Sequence, residues 1–152
     1  EKRDNFAKAA TFNDETLGKV NPERQRNLFA AKAEETLIAS LLHNPDFYFK
    51  IKDKVYDEDF ATTLNLRIYK LIARNLDENR PVGVTYFSQD LTDEESGYLV
   101  RLEMMRDKLG NTVKECLDCI NRMKEEKQER ENKNPARMSD DEWAKQFKKL
   151  SE

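Results

Sequence analysis

Two cysteines three residues apart, Cys116 and Cys119, are the first place to look for chemistry in this chain. A C-x-x-C pair serves either a zinc site or a dithiol redox centre. Zinc needs two more thiol or imidazole ligands at workable spacing. The chain offers no further cysteine and a single histidine, His43. A redox pair belongs on a strand-to-helix turn against a thioredoxin-like sheet. Here the pair falls mid-helix, with Cys116 on the apolar stripe and Cys119 beside it, which is the pattern of packed, reduced thiols. A small metal-binding regulator using Cys116 and Cys119 stays open as an alternative. His43 ends an apolar helical pattern just before Asn44-Pro45, where a side-chain donor satisfies free helix carbonyls; no nucleophile stands near it in sequence. Three acidic runs remain: Asp57-Glu58-Asp59, Asp93-Glu94-Glu95 and Asp140-Asp141-Glu142. Each falls at a helix start, where carboxylates complement the dipole. None has the alternating D-x-D-x-D-G of a calcium loop. The expectation is a chain without catalytic residues, metal or cofactor.

The elements that position these residues are read from composition and period. The chain has 152 residues, 38% charged, with only 4 Gly and 4 Pro. Few turn formers among many Lys, Glu, Leu and Ala favour an all-α protein. With 27 basic and 30 acidic side chains the formal charge is -3, so no overall basic field exists to grip a phosphate backbone, and direct nucleic-acid binding is not expected. No apolar run has the length of a membrane span, and residues 1–12 lack the apolar core of a secretory signal. Two closely spaced cysteines make no disulfide framework, so a reducing, cytoplasmic setting is expected. The first residue is Glu1 rather than Met, and the chain is expected to be a fragment of a longer protein.

Residues 1–21 carry scattered apolar side chains (Phe6, Phe12, Leu17, Val20) and read as a linker or arm. A helical bundle is expected over residues 22–123. Its first helix runs from the Asn21-Pro22-Glu23 start to His43, with a buried stripe of Leu28, Ala31, Glu34/Glu35, Ile38, Leu41 and Leu42. A short helix over 47–55 turns Phe47, Ile51 and Val55 inward. A helix over 59–78 buries Phe60, Leu64, Ile68, Leu71, Ile72 and Leu76. A segment over 85–89 presents Tyr86 and Phe87 to the core. Thr92 and Glu95 form a capping box for a helix to Lys108 that buries Tyr98, Leu99, Leu102 and Met105; Gly97 inside it implies close helix packing. A sixth helix buries Val113, Cys116, Leu117, Ile120 and Met123. Beyond Lys124 the apolar stripe stops while charges of both signs alternate, the pattern of a solvated strut. Ser139 and Glu142 then cap a last helix with Trp143, Phe147 and Leu150 on one side. Residues 124–152 are therefore expected to form a C-terminal helical-hairpin subdomain.

From Lys32 to Met123 this order resembles the C-terminal helicase-binding domain of bacterial replicative primase. The resemblance is carried by AEETLIASLLHNPDFYFKI (33–51), DEDF (57–60), LNLRIYKLIARNLDEN (64–79), TYFSQDLTDEESGYLVRLEMM (85–105) and TVKECLDCINRMKEEK (112–127). It covers about two thirds of the chain, with helix patterns rather than signature residues. It implies a helical bundle followed by a long helix and a helical hairpin that docks on the N-terminal domains of the hexameric replicative helicase. It also implies a primosome role coupling primer synthesis to unwinding, with the parent primase's RNA polymerase activity outside this fragment. On this resemblance Met138, Trp143, Lys145, Phe147, Lys148, Lys149 and Leu150 are the partner-binding residues, the apolar ones as anchors and the lysines as rim charges. The hairpin here is shorter and more polar than the family's. The N-terminal domain of the replicative helicase itself is the alternative, with a similar helical architecture and a similar A-E-x-x-(L/V) start. It is disfavoured here because no glycine lies near Ala39-Ser40 and because a polar strut follows the core.

Overall fold

The computed structural model describes residues 14–133. Among them the chain is all helical: α1 (residues 14–20), α2 (Leu28–His43), α3 (Tyr48–Ile51), α4 (Thr63–Asp77), α5 (Asp93–Glu103) and α6 (Val113–Lys133). Single 3-10 turns join them at Gln25–Asn27, Pro45–Phe47, Asp57–Asp59, Val84–Tyr86 and Met104–Lys108.

α2 is the axis of the bundle. It is buried on most of its circumference, and α4, α5 and α6 pack around it, α6 most extensively. Small side chains make this possible: Ala30, Ala31, Ala39 and Ser40 are at most 1% exposed and let neighbouring backbones approach. Leu37, Ile38 and Leu41 project from α2 into a core completed by Ile51, Ile68, Ile72, Phe87, Leu99, Leu102, Ile120 and Met123, all without appreciable exposure. Each fully buried aliphatic side chain of this kind contributes about 1.5–3 kcal/mol.

The helix starts obey local chemistry, with one departure. Thr92 and Glu95 form the expected capping box: the Glu95 N–H donates to Thr92 Oγ1 at 3.1 Å, and the Thr92 N–H donates to Glu95 Oε1 at 2.9 Å. The first helix does not begin at Pro22. A turn and a 3-10 segment intervene, because Asn21 is drawn inside, 1% exposed, with Nδ2 donating to the Tyr98 hydroxyl at 3.4 Å. α4 ends on Asn79 in the left-handed region (φ 58), a position asparagine tolerates and helix ends use.

Four expectations change. Residues 14–20 are not a loose arm: α1 seats Leu17 in the core, and Asp14 pairs with Arg24 at 2.9 Å. Of Tyr86 and Phe87 only Phe87 is internal; Tyr86 is 55% exposed, since neighbours at the end of a 3-10 turn diverge by about 120°. Gly97 marks no close approach, because a Cβ built there meets nothing within 4 Å. Residues 124–130 do not leave the bundle: α6 runs unbroken past Met123, and Lys124 Nζ reaches Asp59 Oδ2 at 2.7 Å while Lys127 Nζ lies 3.8 Å from Oδ1. The boundary expected between 123 and 124 falls inside that helix.

Candidate interaction surface

Four elements converge on a buried polar hub. Arg24, in the turn before α2, reaches back to Glu35 on α2, with Nε to Oε2 at 2.7 Å and Nη2 to Oε1 at 3.2 Å. Both side chains are 3% exposed. Tyr98 on α5 aims its hydroxyl at the same place, 2.6 Å from Asn65 Oδ1 and 3.2 Å from Glu35 Oε2. Having one proton, it donates to the nearer acceptor. Asn65 on α4 donates through Nδ2 to Glu34 Oε1 at 3.0 Å. Glu34 also accepts from Thr62 Oγ1 at 2.8 Å and from the Ala61 N–H at 2.6 Å. Adjacent residues of α2 thus face both flanking helices: Glu35 lies 3.2 Å from the Tyr98 hydroxyl of α5, and Glu34 binds the start of α4.

Burial sets the protonation behaviour here. Burial pushes the Glu34 carboxyl up, opposed by the bonds from Asn65, Ala61 and Thr62 and by the charge of Arg130. Burial also works against the Arg24 charge, but Glu35 and Asp14 outweigh it and hold the guanidinium more firmly protonated than usual. Tyr98, buried beside the Glu35 charge, is pushed well above the usual phenol range.

The other groups that suggested chemistry are likewise engaged. Burial pushes the Cys116 thiol up to about 11 and the Cys119 thiol up to about 12, so neither is a thiolate at neutral pH. His43 does not serve its own helix end; its Nε2–H donates to the Glu103 carbonyl, the last residue of α5, at 2.8 Å. Among the described residues no group of three or more His, Cys, Asp or Glu is placed to hold a metal ion, and no helix is long and apolar enough to cross a membrane.

Directly over the hub lies an open groove of about 480 Å³ between α1, α2 and the end of α5. Arg24 and Glu35 form part of its floor; Leu17, Met104 and Met105 supply apolar surface, and Lys32, Arg101 and Lys108 stand on its rim. Met104 is 75% exposed, which is unusual for a large apolar side chain inside a folded bundle. Sequence reasoning missed it. The signal was available in the doublet Met104-Met105: only one of two neighbours fits a helix stripe, and Met105 is the one packed against the core. The sequence-predicted partner residues Met138, Trp143, Lys145, Phe147, Lys148, Lys149 and Leu150 lie outside the described residues, as does the Ser139–Glu142 cap.

Compared with known proteins, the chain matches the model of the DnaB-like helicase N terminal domain over residues 26–115. No curated protein and no solved structure matches it significantly. The match spans α2 to the first turn of α6 and includes Glu34, Glu35, Asn65 and Tyr98. It supports the helicase-domain alternative over the primase domain that the segment order resembles. The missing glycine near Ala39-Ser40 does not argue against it: Ala39 and Ser40 are 0% exposed in the α2 interface, and Ser40 Oγ donates to Glu115 Oε1 of α6 at 3.2 Å, so alanine and serine are small enough for that approach. Matched over more than half its length, the chain belongs to the DnaB-like helicase N terminal domain family.

Proposed function

We propose that this chain is a non-catalytic docking domain that works by protein contact within a replicative helicase assembly, as a helicase N-terminal domain of this family. The observation that carries the reading is the contrast at the hub. The charged side chains of the hub are paired internally, while directly above it Met104 is 75% exposed beside Leu17 and Met105, and basic Lys32 and Lys108 stand on the rim. An apolar groove with a basic rim fits an acidic amphipathic segment of a replication partner, apolar anchors in the groove and carboxylates on the rim. Repetition around a helicase ring would raise the net affinity through multivalency.

The test is titration of the chain against neighbouring helicase domains and replication partners, followed by calorimetry. Met104→Glu places a carboxylate in the groove and is expected to weaken binding at least tenfold, about 1.4 kcal/mol. Equal affinity for wild type and Met104→Glu would remove the groove from the account.

A second reading has a specific observation behind it. α6 runs on to Lys133, well past residue 115, where the family match ends, and the sequence beyond offers Trp143, Phe147 and Leu150. If the parent is a primase, this extension would grip the helicase, with Met138 and Lys145, Lys148 and Lys149 around the anchors. Light scattering separates the two. A helicase domain is expected to associate with its own copies, and a primase domain to stay monomeric and bind the helicase N-terminal domains. In the second case Trp143→Ala should weaken that complex by about 2 kcal/mol.

A further inference from the structure

Two features of α5 have no explanation inside the chain. Gly97 lies within the helix, where glycine weakens the backbone relative to alanine, yet a Cβ built there meets nothing within 4 Å. Met104, where α5 passes into its 3-10 turn, is 75% exposed, and Val100 between the two is 40% exposed. Spacings of three and four residues put Gly97, Val100 and Met104 on one face of the helix. The charges along this face are unequal at its ends. Asp93, one turn before Gly97, and Glu94 are exposed at the start. At the far end Arg106, Asp107 and Lys108 are exposed, two cations and one acid, and Lys108 lines the same groove as Met104.

We propose that this face of α5 is where two copies of the chain meet, antiparallel about a twofold axis at Val100. The axis sets each Gly97, three residues before Val100, opposite the Met104 of the other copy, four residues after it. A flexible, unbranched methionine then fills the space that the glycine leaves open, so one operation accounts for both features. The same axis brings Asp93 and Glu94 of each copy toward Lys108 of the other. The face is thus complementary to itself, as an isologous contact requires. The parallel sense would set acid on acid and methionine on methionine, and would leave Gly97 facing Gly97. A single helix face is small beside stable interfaces, so isolated chains pair weakly, and repetition around a ring strengthens the pairing. This pairing rests on the helicase-domain reading, in which copies of the chain meet, and names the face they use.

Sedimentation equilibrium of the full chain over about 10 μM to about 1 mM, the range of weak pairs, is expected to show a monomer–dimer equilibrium. Gly97→Leu fills the space that Met104 needs and should weaken pairing at least tenfold. The same substitution should raise the melting temperature of the dilute monomer by a few degrees, because leucine is the better helix former. Gly97 lies outside the groove lining, so binding of another partner in the groove should not change. Asp93→Lys and Lys108→Asp should each pair less well than wild type, and their equimolar mixture should recover the pairing, since opposite charges then meet at both ends. A wild type that stays monomeric across the range would overturn the proposal together with the helicase-domain reading. Undiminished association of Gly97→Leu, or a mixture that pairs no better than its components, would overturn the proposal alone.

Discussion

The hub around Glu34 and Glu35 and the latch at Asp59 are both built from charged side chains on a helical bundle, but they differ in their contact with water. In the hub, Arg24 and Glu35 are 3% exposed. In the latch, Asp59 is equally buried, yet Lys124 and Lys127 are 39% and 27% exposed, and Lys124 also lies over the Tyr56 ring at 4.9 Å. The hub pair presents almost no surface to solvent, although it lies at the floor of the groove. The latch meets solvent, because its lysines stand at the surface, and its carboxylate also accepts from the Tyr56 N–H at 2.9 Å. The hub fixes how α2, α4 and α5 meet, and the latch adjusts how closely the polar half of α6 follows them.

The largest expected effect comes from breaking the hub on one side. Arg24→Ala leaves Glu35 buried without its cation and should cost about 3–5 kcal/mol, read as a fall in the urea midpoint with unchanged slope. The comparison sharpens if Arg24→Met with Glu35→Leu recovers most of the loss. That would show the penalty to be the orphaned charge rather than the pair's own strength.

Glu34 gives the next effect. Glu34→Ala removes the acceptor for the Ala61 N–H, the Thr62 hydroxyl and the Asn65 amide, and each buried group left unpaired costs about 1–3 kcal/mol. Its pH dependence has a definite sign. Burial raises the folded-state pKa, so the protonated form is relatively favoured by folding. Its contribution is complete below the ordinary carboxylate range and is lost as pH rises through the raised value. Wild type should therefore lose stability relative to Glu34→Gln as pH climbs through that window, and parallel pH curves would refute the assignment.

The α5 cap runs the other way. Burial disfavours the Glu95 charge, but the Thr92 backbone N–H and Arg67 outweigh it and hold the carboxyl below the usual range. This contribution is present above the ordinary carboxylate pKa and lost as pH falls through the lowered one. Thr92→Ala should cost about 1 kcal/mol in thermal unfolding at neutral pH. Glu95→Gln should flatten part of the acid-side decline.

These residues also show what was legible in sequence. The Thr92–Glu95 box is a contact three residues apart, so it can be read from the string itself, as can the stripes of α4 and α6. Glu34 and Glu35 could be placed on the buried stripe by phase, but their partners could not. Asn65 lies 31 residues from Glu34 and Tyr98 lies 63 from Glu35, and no local period encodes such pairs. Leu17 was lost for the same reason: a short helix is fixed by what it packs against rather than by its own pattern. The groove was invisible because exposure of Met104 is a property of how α1, α2 and α5 meet. The polar half of α6 misled in a more instructive way. Its alternating charges look like a solvated face, and most of them are; the two that bind Asp59 are marked only by lying one turn apart.

The latch supplies the smallest and most discriminating prediction. Lys124→Ala leaves Asp59 with Lys127 and the Tyr56 N–H, so the cost should stay below about 1 kcal/mol. A partly exposed pair is screened by salt, so the difference between wild type and Lys124→Ala should shrink as ionic strength rises from low to near molar. The Arg24→Ala deficit should change much less over the same range, because Arg24 and Glu35 are each 3% exposed and buried pairs are screened less. Hydrogen exchange locates the effect. With the latch weakened, amides of α6 after Met123 should exchange faster while those of α2 keep their protection, since only the outer half of α6 depends on Asp59. If both variants showed the same salt dependence, the distinction between a dry hub and a wet latch would fail.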